Sequence, residues 1–258
     1  MVTQFTELTD SQWEVMKVVL NCKRKRKHDL RAISNAMLFV TRTGLQWRNL
    51  PKEYPKWTIV YYYFRRWTRD GTIDMLNLYL GQMERYLSDK EADPSLVCVD
   101  SQSIKSVPFV SRHRGLDPFK KVNGRKRHVV VDTLGLVIGV VVRAANSSDA
   151  VEGCTVLERC RRRWTRLRKV LVDGAYQGRF LRWVEQHTEA VVEHASRPET
   201  VQGFVPIRWR WVVERTFAWF NFFRRLDKDR EKTVESSESW ILLANCSVIL
   251  NRLENWPN

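Results

Sequence analysis

The sequence has no Cys-x-x-Cys pair, and its five cysteines, Cys22, Cys98, Cys154, Cys160 and Cys246, are odd in number and scattered. That pattern argues against a disulfide framework, offers no zinc site and suits a reducing compartment. No basic-then-apolar leader is visible in MVTQFTELTD. The longest apolar stretch, LVIGVVV at 136–142, contains Gly139 and is far too short to span a bilayer. The expectation is an intracellular, cytoplasmic protein with no membrane partner. Internal repeats and low-complexity tracts are also missing. Acidic charge is scarce, with 29 Asp and Glu against 44 Lys and Arg, a net of +15. The excess is spread evenly: residues 1–90 carry 16 basic and 9 acidic side chains (+7), and residues 91–258 carry 28 and 20 (+8). A basic membrane-surface protein would segregate such charge on one amphipathic helix. Here the runs KRKRK (23–27), GRKRH (124–128) and RRRWTRLRK (161–169) are dispersed. A polyanion, nucleic acid, is the partner that fits.

The pattern along the chain divides at a polar, proline-containing stretch, SDKEADP at 88–94. Before it, residues 1–90 read as helices. Thr9 or Asp10 caps one, Asp29 opens a second that Gly44 ends, and KWTIVYYYFRRWTRDG forms a basic aromatic third that Gly71 stops. Two helices, a Pro-bounded connector and a basic helix suggest a helix-turn-helix-like module, with Arg65, Arg66 and Arg69 as candidate DNA contacts. A plain helical packing domain with solvated arginines is the alternative. After residue 91, short β-branched runs at 95–100, 127–132, 136–143, 168–173 and 190–195 alternate with helical segments. The fold class is therefore α/β, a mixed sheet flanked by helices and preceded by an all-α region.

Three of the apolar runs end in aspartate: Asp100, Asp132 and Asp173. Asp132 is followed by TLGL and then by another strand, so it belongs to a hairpin turn, where aspartate commonly bonds locally. A long helical crossover precedes the strand of Asp173, which permits that strand to lie parallel to the strand of Asp100 and the two carboxylates to end side by side. Each aspartate taken alone also reads as a turn or cap residue.

A third carboxylate stands in RWRWVVERTFAWFNFFRRL (208–226), where Glu214 is the one acid among three tryptophans, four phenylalanines and five arginines. At helical spacing Arg210, Glu214, Asn221 and Arg225 share a stripe about 60° wide, opposite Val212, Val213, Thr216, Trp219, Phe220 and Phe223. An ordinary surface ion pair with Arg210 would explain Glu214 by itself. Three acidic groups with little sulfur or imidazole nearby suit a hard cation such as Mg²⁺, and a nucleic-acid-binding charge suits phosphoryl transfer. GRKRH adds Arg125, Lys126 and Arg127 as candidate phosphate contacts, with a solvated charge run as the alternative.

Asp100 in VDSQSIK, Asp173 in LVDGAYQG and Glu214 in RWVVERTFAWFNFFRRL resemble the three acidic motifs of DDE transposases of bacterial insertion sequences. The resemblance is to the insertion-sequence-5 branch of the insertion-sequence-4/5 superfamily. GRKRHVVVDTLGL resembles that branch's central hairpin, and LTDSQW, LRAISNAMLFVTRTGLQWRNLP and TIVYYYFRRWTRDG resemble its N-terminal DNA-binding region. The resemblance implies a ribonuclease-H-like catalytic domain at 91–258 and a DNA-binding domain at 1–90 that holds terminal inverted repeats. It implies Mg²⁺, with Mn²⁺ as a substitute, on Asp100, Asp173 and Glu214. Cleavage at the element's ends, attack of the exposed 3′-OH groups on target DNA, a homodimer on DNA and a place at the nucleoid are implied as well. Of the wider family's glutamate signature, the arginine four residues earlier is present as Arg210, carried over as an organiser of phosphate or carboxylate. Ile207 and Asn221 stand where that signature has tyrosine and lysine. The 41-residue step from Asp173 to Glu214 leaves no room for a large inserted β domain. A non-catalytic repressor would not need the intact acidic triple, whereas a nuclease without joining activity would share all of it.

Overall fold

The computed structural model describes residues 5–20, 27–195 and 210–254, without the side chains of Arg210 and Glu254. Cys22, most of the KRKRK run, and Ile207 to Trp209 lie outside the described residues, as does the expected role of the Arg210 side chain.

Local chemistry sets the helix boundaries. Helix α1 (Asp10–Leu20) starts at a reciprocal cap, with Thr9 N–H donating to Gln12 Oε1 and Gln12 N–H to Thr9 Oγ1. Helix α2 (Leu30–Thr43) starts at Asp29, whose carboxylate accepts the Arg31 N–H. Gly44 ends it at φ 68°, and a side chain there would meet the Arg224 backbone carbon at 2.8 Å. Helix α3 (Trp57–Arg69) follows the long connector 44–56, and only Asp70 and Gly71 separate it from a fourth helix, α4 (Thr72–Leu87).

The remainder alternates as β1 (Leu96–Lys105), β2 (Gly115–Asp117), β3 (Val122–Asp132), β4 (Val137–Ala144), α5 (Asp149–Arg159), β5 (Lys169–Val172), α6 (Arg179–His187), β6 (Val191–His194), α7 (Arg210–Phe220) and α8 (Val234–Glu254). In the sheet β3 lies between β1 and β4, antiparallel to both, while β5 and β6 continue parallel on the other side of β1. Short β2 pairs with the start of β3. An N-terminal helical region followed by a helix-covered, ribonuclease-H-like mixed sheet is thus the architecture. β3 and β4 are buried over nearly their whole length because helices cover both faces, which is why Val129–Val131 and Val137–Val142 read as apolar runs while the first half of β3 buries charge.

One core, containing Val97, Val99, Val130, Val141, Val170 and Val172, lies between the sheet and helices α5 and α6. The other joins the opposite face, through Cys98, Val129, Val131, Val140 and Leu171, to α7, α8 and the N-terminal helices in a single hydrophobic cluster. Helix α8 is the reason. Every residue from Ser237 to Cys246 is buried, so it is enclosed all round rather than on one side, and it packs on α4, α2 and α1 as well as on β4. Trp240 stacks on Phe64 of α3 at 4.3 Å between ring centroids. Asn77 of α4 and Asn245 of α8 bond to each other and to both backbone groups of Val137, satisfying the outer edge of β4. The helical part and the sheet part therefore share a core across the polar stretch between Leu87 and Leu96.

Candidate active site

Strand β1 does not stop at Asp100; it runs on to Lys105, so this aspartate is half-buried in mid-strand. Its level on the sheet comes from pairing. Leu96, Val97 and Cys98 lie opposite Lys169, Val170 and Leu171. Carried two residues further, that register sets Asp100 beside Asp173, the residue that follows β5. Both share a face with Cys98 and Leu171, members of the core that α7 closes. Helix α7 packs on β1 and buries Val212, Val213, Phe217 and Phe220, while Glu214 and Ala218 are exposed.

Each aspartate is held by a nearby amide: Ser101 N–H donates to Asp100 Oδ1 at 2.6 Å, and Ala175 N–H to Asp173 Oδ1 at 2.9 Å. Tyr176, three residues after Asp173, is 1% exposed in the core that α5 and α6 close on the opposite face. Burial, and then the charges of Asp100, Asp149 and Asp173, push its phenol well above the usual range. On that same opposite face, Ser101 Oγ donates to Asp149 Oδ1 at 2.7 Å, Lys126 Nζ to Asp149 Oδ2 at 3.2 Å, and His128 Nδ1 lies 3.6 Å from Asp149. This support was not foreseen from sequence, although Tyr176 stands in the same LVDGAYQG motif as Asp173 and Ser101 directly follows Asp100.

The donor set suits a hard divalent cation, because Asp100, Asp173 and Glu214 offer oxygen alone and Cys98 is kept protonated, its thiol pushed up to about 12 by burial and then by Asp132 and Asp100. Among the described residues no three carboxylate, imidazole or thiol groups are gathered tightly enough to hold an ion as they stand. Asp100 lies in β1 and Asp173 directly follows β5, the adjacent parallel strand, and the third carboxylate is carried by α7, which packs on β1.

Other expectations fare differently. Asp132 is the hairpin residue its sequence suggests: it accepts the Leu134 and Leu136 N–H groups and pairs with Arg85 of α4, three residues along β1 from the level of Asp100. The basic hairpin is a correction. Arg125, Lys126 and Arg127 are 0%, 7% and 2% exposed and face inward. Arg125 Nη1 lies 3.0 Å from Asp229 and also donates to Glu231 O and Ser237 Oγ, while its Nη2 donates to Arg112 O. Lys126 serves Asp149, and Arg127 donates to Leu226 O, with burial lowering its pKa to about 10. Buried charges persist only when paired or hydrogen-bonded: Arg125 and Lys126 are paired with carboxylates, and Arg127 is held by the Leu226 carbonyl. The polar stripe is also shorter than its spacing suggests. Helix α7 ends at Phe220, so exposed Asn221 is in a turn, and Arg225 is buried against Glu231 and the Trp240 ring. On α3, Arg65, Arg66 and Arg69 are exposed beside Tyr61 and Tyr62, whereas Tyr63 and Trp67 belong to the core.

The stretch that carries all three carboxylates, and the helices before it, match known families. Residues 91–250 match the family described as "Transposase DDE domain", and residues 8–77 match "Putative transposase of IS4/5 family". The chain belongs to the DDE transposases of the IS4/5 family. Among individual proteins it is similar to the "Putative transposase for insertion sequence element IS402" of Burkholderia cepacia, with 27% identity over 142 residues. That match covers 50% of this chain and 64% of the relative, so the chain spans less than two thirds of that protein's length. No solved structure matches. Among the described residues no helix is long and apolar enough to cross a membrane.

Proposed function

We propose that this protein binds the terminal inverted repeats of an insertion sequence, cleaves DNA at the element's ends and joins the exposed 3′-OH groups to target DNA. The observation that carries the reading is the register of β1 and β5, which sets Asp100 and Asp173 level on one face of the sheet. Asp100, Asp173 and Glu214 would hold Mg²⁺, for which Mn²⁺ substitutes. Divalent cations there supply charge neutralisation at the scissile phosphate and activation of the attacking oxygen. The chain's own contribution is placement. The Ser101 and Ala175 amides orient the two aspartates, buried Tyr176 backs them from the sheet's opposite face, and α7 brings Glu214 when DNA fills the cleft.

Exposed Arg65, Arg66 and Arg69 on α3, with Tyr61 and Tyr62, are the proposed contacts to the repeat, and Arg210 at the start of α7 is assigned to phosphate. A homodimer bridging two ends would add affinity by multivalency. Because the N-terminal helices share their core with α8, repeat binding belongs to the full chain rather than to a detachable piece.

The test uses full-length protein, a labelled element end, a target plasmid, and Mg²⁺ or EDTA. Cleaved and joined products should form with Mg²⁺ only. Asp100→Asn, Asp173→Asn and Glu214→Gln should each abolish both products while holding end binding within about threefold, since ligands of a shared ion act as a unit. Cleavage without joining would reassign the protein as a nuclease. Cleavage surviving in any of the three variants would remove that residue from the site.

A further inference from the structure

The segment between β1 and β3, residues 106–121, has no part in the site described above. Its backbone is pinned at several points. Ser106 bridges to Asp229, Val107 N–H donates to Asp229 O, and Val110 is 1% exposed. Buried Arg125 holds the Arg112 carbonyl at 3.0 Å. Asp117, the segment's one acid, turns inward at 3% exposure, where it accepts from Ser103 Oγ and from the N–H groups of Phe119 and Lys120.

What this held backbone presents outward is basic and apolar. Phe119 is 94% exposed and Phe109 67%. Arg112, His113, Arg114, Lys120 and Lys121 are exposed as well. In the other exposed basic run Arg161, Arg166 and Arg168 are neutralised by Glu158, Glu91 and Glu189. Here, among the described residues, Arg112, Lys120 and Lys121 make no ion pair, and Arg114 bonds to Asn123 Oδ1 at 2.7 Å. Folding does not account for a phenylalanine left in water among unneutralised cations; a polyanion carrying flat, apolar bases does.

The position agrees. Strand β1 runs five residues beyond Asp100, about 17 Å at the usual rise, before the arm begins, and it leaves the sheet at the end where Asp173 lies. Phe109 also lines one groove with Tyr61, Arg65 and Arg69 of α3 and with Arg230 and Lys232.

We propose that the arm 106–121 is a DNA-contacting element. In it Arg112, Arg114, Lys120 and Lys121 hold backbone phosphates, and Phe119 stacks on an unpaired base next to the strand entering the site. The inference rests on the transposase reading above. Its probe is a random-sequence duplex carrying one unpaired 2-aminopurine, compared with the same duplex fully paired, titrated with full-length protein across a salt series.

Lys120→Ala/Lys121→Ala should reduce the steepness of log affinity against log salt by about 1.8, two phosphates at ~0.9 each. Phe119→Ala should leave that slope unchanged, weaken the unpaired-base duplex about tenfold relative to the paired one, and abolish the 2-aminopurine quenching seen with wild type. Arg166→Ala/Arg168→Ala should match wild type in both readouts. All of these side chains are on the surface, so melting temperatures should stay within about 1 °C. Wild-type protein that binds neither duplex would overturn the transposase reading and the arm together. Wild-type binding that the arm variants leave intact, or that Arg166→Ala/Arg168→Ala weakens equally, would overturn the arm alone.

Discussion

Arg125→Ala separates a basic hairpin that contacts DNA from one that holds the protein together. In the folded protein Arg125 is fully buried, pairs with fully buried Asp229 at 3.0 Å, and ties Arg112 O, Glu231 O and Ser237 Oγ to the same guanidinium. Removing one partner of a buried pair strands the other charge and costs about 3–5 kcal/mol. Asp229 keeps the Ser237 hydroxyl and the Glu231 N–H, which argues for the lower half of that range. With an unfolding entropy of about 2.1 cal/mol/K per residue over 258 residues, or about 0.5 kcal/mol/K, the melting temperature should fall by about 6–8 °C. Thermal melts by circular dichroism measure it. Arg125→Ala/Asp229→Ala should lose less than the sum of the single variants, by about 1–3 kcal/mol of coupling. Well below the melting temperature the salt slope of DNA binding should be unchanged, because no phosphate contact is removed. An unchanged melting temperature with a flattened salt slope would refute the reasoning and return Arg125 to the DNA surface.

Asp132→Asn should lose about 3 kcal/mol by breaking the buried pair with Arg85 while keeping cleavage per folded molecule, as measured by active-site titration; a folded but inert variant would put Asp132 in the site. Trp240→Ala removes a ring packed between Phe64, Trp47 and Arg225 and should cost about 3–5 kcal/mol. It should leave one unfolding transition, because the helical and sheet parts share that core; two resolved transitions in calorimetry would contradict the shared core. His128 gives a pH signature. Burial, opposed by Asp149 and reinforced by Lys126 and Arg143, lowers its folded pKa from 6.5 to about 4. The unfolded chain thus takes up this proton first. The contribution is intact above pH 6.5 and is lost as pH falls toward 4, by at most about 1.4 kcal/mol per pH unit. His128→Gln should flatten the urea-stability profile across that window; an unaltered profile would contradict the burial of a neutral imidazole.

Much of the fold was legible because its signals are local. β-branched runs, capping residues and the turn after Asp132 each depend on a few neighbours, and the helical crossover before Asp173 permitted a strand parallel to that of Asp100, as found. The order of the three acidic motifs stands in the sequence itself. The destination of charge and of aromatic surface was not legible. Arg125 reads as exposed until Asp229, 104 residues later, is folded against it, and Lys126 until Asp149 is. Tyr63 and Trp67 look equivalent to Tyr61 and Tyr62 until packing sorts them into core and surface. Helix α8, last in the chain, completes the core of the first four helices, which residues on either side of the 88–94 stretch cannot announce alone. The sequence by itself determined the element types and the identity of the candidate carboxylates, because propensity and chain order act over short range. Only the tertiary structure decided which cations face solvent and which are counter-ions of the core, because burial and ion pairing depend on residues brought together from distant parts of the chain.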